Sequence, residues 1–135
     1  RRWQVLNDIL LCHRNPAAMS HYALRIGRHS EEQRSSGIWI AAAAGSTGAI
    51  RSAGGRRMPI TSDQFQYRVR EIYQNKRRPC RLTAGILPSG ARLHLTSFMT
   101  DGVIFADGAH LKIPFPYGRT AVVRRSASPL RVIAA

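Results

Sequence analysis

Negative charge is what this sequence has least of: 7 Asp plus Glu stand against 21 Lys plus Arg in 135 residues, a formal net charge of +14. Carboxylates this scarce offer no clear acid/base pair, since Glu31 and Glu32 fall in a polar stretch and Asp101 and Asp107 read as turn residues. Long apolar runs are absent too. The longest, residues 38–44, is far short of the roughly 20 residues that span a bilayer, and no charged-then-apolar leader opens the chain. The reading is a soluble protein with no membrane partner. Cysteine is limited to Cys12 and Cys80, which have no Cys or His neighbour at a metal-ligand spacing and are too few for a secreted disulfide scaffold. Buried free thiols are the expected state, with a bridge between the two as the alternative. The five histidines show no HxxxH or HxH spacing, and no Ser/His/Asp or Cys/His arrangement has a recognisable context. An intracellular site is expected, either the cytoplasm or the matrix of a mitochondrion or plastid.

What remains is enough for one core of ordinary size, because 44% of the residues are apolar. Their pattern is that of strands. Residues 5–12 mix polar positions into an apolar run, 22–26 alternate after the Asn15-Pro16 turn, and 28–36 look like a polar hairpin tip before a strand at 37–42. Further alternation marks 66–72, 92–96 and 111–115, with 103–106 held between two Asp-Gly pairs and the last strands at 121–125 and 130–133. Turn signals at Pro88-Ser89-Gly90, Asp101-Gly102, Asp107-Gly108 and Tyr117-Gly118 separate these runs. The fold class expected is mostly β, an antiparallel β-sandwich-like domain with one short helix at about 46–53.

Arginine supplies nearly all of the positive charge, which favours polyanionic partners such as RNA or phosphorylated ligands through long-range attraction. The basic residues come in scattered pairs, Arg56-Arg57, Arg77-Arg78 and Arg124-Arg125, so a solvated basic surface is the competing explanation. The densest group, Lys76-Arg77-Arg78, suits a hairpin tip.

The stretch with most chemical character is Gly45-Ser46-Thr47-Gly48-Ala49-Ile50-Arg51-Ser52-Ala53-Gly54-Gly55. It follows the apolar strand Gly37-Ile38-Trp39-Ile40 and reads as a hydroxyl-rich loop opening into a helix, whose unpaired N–H groups can meet an anion or a nucleotide edge. The same glycines would also serve plain close packing.

Two segments together resemble the carboxy-terminal domain of the NAD kinases. Leu6-Asn7-Asp8-Ile9-Leu10 is similar to that family's Leu-Asn-Glu or Leu-Asn-Asp strand. The run from Gly45-Ser46-Thr47 to Ser52-Ala53-Gly54-Gly55 is similar to its Gly-Ser-Thr-Ala-Tyr-x-x-Ser-Ala-Gly-Gly signature, in the same order. Asp107-Gly108 and the segment from Ser126 onward fit its last strands, and the likeness is loose over residues 56–92.

The resemblance implies a domain, residues 1–135, that holds NAD for phosphorylation of its adenosine-ribose 2′-hydroxyl by ATP with Mg²⁺, giving NADP, in a homo-oligomer. By the same resemblance Asn7 would bond the adenine and Asp8 a ribose hydroxyl, while Thr47, Gly48 and Ser52 would line the adenine pocket. An amide can both donate to and accept from a base edge, and a carboxylate suits a ribose diol.

Departures from the family pattern are specific. Ala42-Ala43-Ala44 stands where Thr-Pro-Thr is usual, Ala49 replaces the aromatic, Ser36 replaces an aspartate, and the Pro-His-Ser-Leu segment is missing from 56–81. No Gly-Gly-Asp-Gly phosphate loop occurs in the 135 residues, so they carry no catalytic residue and are not expected to transfer phosphate alone. The start at Arg1 without Met suggests a segment of a longer protein whose amino-terminal α/β domain lies outside it. The alternative is a kinase-derived domain reused as a basic structural or RNA-contacting subunit, for instance in an organellar ribonucleoprotein.

Overall fold

The computed structural model describes residues 1–132, and it is built almost entirely of antiparallel strands. Ten are present: β1 (Asp8–His13), β2 (Ser20–Ile26), β3 (His29–Ser35), β4 (Gly37–Ala42), β5 (Phe65–Arg70), β6 (Ala84–Leu87), β7 (Arg92–Ser97), β8 (Gly102–Ala106), β9 (Leu111–Pro114) and β10 (Thr120–Arg124). They form a six-stranded sheet in the order β6-β5-β4-β1-β8-β9 and a four-stranded sheet in the order β10-β7-β2-β3.

Alternation dictates which side of each strand meets the other sheet. From the first sheet Leu11, Ile38, Ile40, Phe65, Tyr67 and Ile104 point inward; from the second, Tyr22, Leu24, Leu93 and Leu95 do, and all join one buried cluster. Each large side chain fully withdrawn from water contributes about 1.5–3 kcal/mol before entropy is set against it. The phenol of Tyr22 is buried with them and donates to or accepts from Ser35 Oγ at 2.9 Å, and burial pushes its pKa well up. The crossing between sheets after β1 uses the Asn15-Pro16 signal: Asn15 Oδ1 accepts from Ala17 N and its carbonyl from Ala18 N.

Four expectations change. The polar stretch expected as a hairpin tip is mostly strand, because β3 is an edge strand that pairs with β2 from Ser20↔Ser35 to Ile26↔His29, leaving only Gly27-Arg28 for the turn. Its inward positions, Gln33 and Ser35, are polar but hydrogen-bonded to Leu82 O and to Tyr22. The helix, α1, spans only Ala49–Ser52, because residues 43–48 close successive turns, Gly45 N to Ala42 O, Ser46 N to Ala43 O and Gly48 N to Gly45 O. Strand β6 carries no strong signal, being four residues long and half exposed at the sheet edge. The strand expected at 130–133 is irregular over 130–132, and Ile133 lies outside the described residues.

Lys76-Arg77-Arg78 does sit on a tight turn, closed by an Asn75↔Arg78 bridge. Cys12 and Cys80 are free and half-buried rather than fully buried. The helix α1 is too short to cross a membrane, and no helix among the described residues is long and apolar enough to do so.

Candidate functional site

A cleft of about 470 Å³ opens where the start of β1 meets the loop after β4 and the turn after β8. Asn7 and Asp8 form one wall, and Thr47 and Gly48 another. The two segments meet because β1 pairs with β4, Asp8 lying opposite Ala41 and Ile9 opposite Ile40. The loop that leaves β4 therefore begins beside Asn7. Asn7 itself precedes the strand, in a bend, and its carbonyl accepts from Ala42 N at 3.0 Å.

Gly45 is what lets the loop close so tightly. A Cβ at that position would lie 2.1 Å from the Asn7 carbonyl oxygen, well inside contact distance, so only glycine permits the approach. The next residue anchors the loop from below. Ser46 is fully buried, its hydroxyl donating to Ala43 O at 2.7 Å and accepting from Met58 N at 2.9 Å. With Ser46 turned inward, Thr47 is left exposed at the lip of the cleft. Gly48 runs along the Asp8 carboxylate, since a Cβ on it would stand 3.7 Å from Asp8 Oδ2.

The third wall is Asp107-Gly108, which closes the turn between β8 and β9. Asp107 adopts a left-handed backbone with φ 50°, a conformation Asp tolerates better than most residues. Its carboxylate accepts from Leu6 N at 2.9 Å and Asn7 N at 2.6 Å, while its own N–H donates to Asp8 O at 3.0 Å. These three bonds fix the Asn7-Asp8 backbone and leave the Asn7 side chain exposed. Burial raises the pKa of Asp8; the nearby Asp107 charge raises it further, and the Gly108 amide opposes both.

Trp39 lines the same cleft. It occupies the outward phase of β4, between the buried Ile38 and Ile40, and is half-buried itself. Ala44 and Ala49 also line the space, so the positions of the missing hydroxyl and the missing aromatic do face it. Ser52 is exposed at the end of α1 and is not among the lining residues.

Four of the five site residues read from the sequence thus converge, and the fifth stands a helical turn away. Sequence reasoning missed Trp39 and the role of Asp107. The Trp39 signal was legible as an aromatic out of phase with the core isoleucines. That of Asp107 was not, because it depends on β8 pairing with β1 from Ile9↔Ala106 onward. Chemically, the walls offer an amide, a carboxylate, a hydroxyl, backbone groups and an aromatic face. That set can grip a base and a sugar diol. Among the described residues no group of three His, Cys, Asp or Glu side chains could hold a metal ion.

No protein-family model matches the chain. Among curated proteins it is 34% identical over 134 residues to a probable NADH kinase of Oryza sativa subsp. japonica, covering 95% of this chain and 41% of that protein. It is 33% identical over 99 residues to the NADH kinase of Arabidopsis thaliana, covering 73% of this chain and 31% of that protein. The chain therefore spans less than half the length of these relatives. Among solved structures, the NAD kinase of Archaeoglobus fulgidus in complex with ATP superposes with a TM-score of 0.74 at 22% identity, over 91% of this chain and 46% of that one. The yeast NADH kinase complexed with NADH gives a TM-score of 0.74 at 19% identity, over 90% of this chain and 34% of that one. These superpositions show a shared fold.

Proposed function

Because this chain is a carboxy-terminal β domain of the NAD kinase family, we propose that it is the dinucleotide-binding part of a protein that phosphorylates NAD(H) with ATP. The observation that carries this reading is the convergence of Asn7, Asp8, Thr47 and Gly48 on one cleft. Asn7 bonds the adenine edge, Asp8 the ribose hydroxyls, and Thr47 with the Gly48 backbone closes over the base. Trp39 supplies an aromatic surface that Ala49 lacks; stacking of a base on such a ring is worth about 1–3 kcal/mol. Ser52, at the end of α1, stands outside the cleft lining and is assigned to its rim.

In this reading the phosphate-binding loop with its catalytic aspartate is supplied by another part of the protein than the β domain. ATP would bind at that loop, and Mg²⁺ there would supply neutralisation of phosphate charge. The protein works as a homo-oligomer in the cytoplasm or an organelle matrix. Its test is NADP(H) formation by the full-length protein from NAD or NADH with ATP and Mg²⁺, read by an NADP-specific dehydrogenase. Asp8→Ala should lower kcat/KM about tenfold or more, the size of losing a hydrogen bond to a charged group. No product and no NAD(H) binding in the wild type would overturn the reading.

A second reading, an RNA-contacting domain, is favoured by the outer face of the four-stranded sheet. There Arg92 lies directly opposite Arg124 and Arg25 opposite His94. Partial burial lowers the pKa of His94, and the charges of Arg25 and Arg92 lower it further. Like charges facing each other across strands are destabilising unless an anion lies between them. RNA retained on filters should be released steeply with added salt and weakened by Arg92→Gln with Arg124→Gln. Failure to retain RNA at low salt removes this reading.

A further inference from the structure

A second cleft, of about 390 Å³, lies at the other end of the glycine-bounded loop, against β5 and β6. Arg56 and Arg68 are among its lining residues, and no acidic residue is. Arg68 is half-buried, and among the described residues it makes neither an ion pair nor a side-chain hydrogen bond. Its guanidinium N–H groups are unused by the described residues and so are available to an anion.

Neighbouring residues shape the wall at the Arg68 side chain and at the Arg56 backbone. Gly54, at φ 94°, packs so closely on Arg68 that a Cβ there would lie 2.9 Å from the guanidinium carbon. Gln66 is buried and clasps Arg56 from both sides: its Oε1 accepts from Arg56 N at 3.0 Å and its Nε2 donates to Arg56 O at 2.6 Å. A third arginine is already committed, with Arg51 Nη1 donating to Gly55 O at 2.8 Å. At the floor Gly85 contributes bare backbone; a Cβ there would turn to the core side of the sheet, 2.9 Å from a carbon of the inward Tyr67 ring.

We propose that this cleft, between Gly54-Gly55 and Gly85 with Arg56 and Arg68 on its walls, is a binding site for a phosphate group of a small-molecule ligand. Guanidinium groups match phosphate oxygens with paired N–H donors, and glycines let the backbone come close to them. The site is separate from the one lined by Asn7 and Asp8, and its existence does not depend on the reading of that one.

The test is calorimetric titration of inorganic pyrophosphate into the protein at 0.15 M NaCl, where attraction to the general surface charge is screened beyond about 8 Å. Saturable one-site binding is expected, weakened about tenfold or more in Arg68→Gln, the usual cost of a lost charge-assisted hydrogen bond. Arg28→Gln, in the exposed turn between β2 and β3, should leave it unchanged. Circular dichroism and thermal melting of Arg68→Gln check that the variant is folded, and Arg56→Gln, whose side chain is exposed, gives an independent second loss. No saturable binding would overturn the proposal. So would equal weakening by Arg28→Gln, which would mark diffuse charge attraction only, or wild-type affinity in folded Arg68→Gln.

Discussion

The carboxyl of Asp8 sits where burial and the neighbouring Asp107 charge both disfavour ionisation, against a smaller opposing effect of the Gly108 amide. Its folded-state pKa is raised above the unfolded value. Such a group contributes stability below the unfolded pKa, and the contribution is lost as pH rises through the folded pKa. At neutral pH the ionised Asp8 therefore costs stability. Asp8→Asn should raise the thermal midpoint at pH 7, with the gain disappearing once the medium is acid enough to protonate Asp8 in both states, and should weaken NAD(H) binding. Melting curves across pH check the first effect; a lowered midpoint at pH 7 would contradict it. At this scale the sequence was most informative where it resembles the NAD kinases. Asn7, Asp8, Thr47 and Gly48 were named through that resemblance, and they line one cleft. Asp107 could be named only as a turn residue, because its bonds to Leu6 and Asn7 cross 100 residues or more.

At the scale of elements, β3 is the strand whose sequence least resembles a strand. Polar at nearly every position, it is held by β2 on one side and by a side-chain clasp on the other. Glu31 accepts from Arg81 N at 2.7 Å and Leu82 N at 3.0 Å, and from Gln33 Nε2 at 3.0 Å. Burial works against its ionisation, but these bonds and the Arg81 charge outweigh it and hold the pKa below the ordinary glutamate value. The sign is opposite to that of Asp8: the contribution is present above the unfolded pKa and is lost as pH falls through the folded one. Glu31→Gln should lower the thermal midpoint at neutral pH, lose that difference in acid, and speed hydrogen exchange at the Arg81 and Leu82 amides. Unchanged exchange at both amides would contradict the clasp. Strands with an apolar inward phase, such as β4 and β7, were legible because burial writes itself into their alternation. Edge strands β3 and β6 were not, since one is paired by polar groups and the other is short and half exposed.

For the whole molecule, the two sheets divide the work. Their facing sides make the core, and the first sheet's outer side carries both clefts, joined by the loop from Ala43 to Gly55. The second sheet's outer side carries Arg25, Arg92 and Arg124. A net charge of +14 raises the local concentration of any anionic ligand without choosing among them. The walls of both clefts come from segments far apart in sequence. The central claim, that the cleft between Asn7-Asp8 and Thr47-Gly48 holds the adenosine part of NAD(H), is tested most directly by calorimetric titration of NADH into the full-length protein and its Asn7→Ala and Asp8→Ala variants. Saturable binding in the wild type, weakened in both folded variants by about tenfold or more, is the result predicted. Absence of binding in the wild type, or wild-type affinity in both variants, would contradict it.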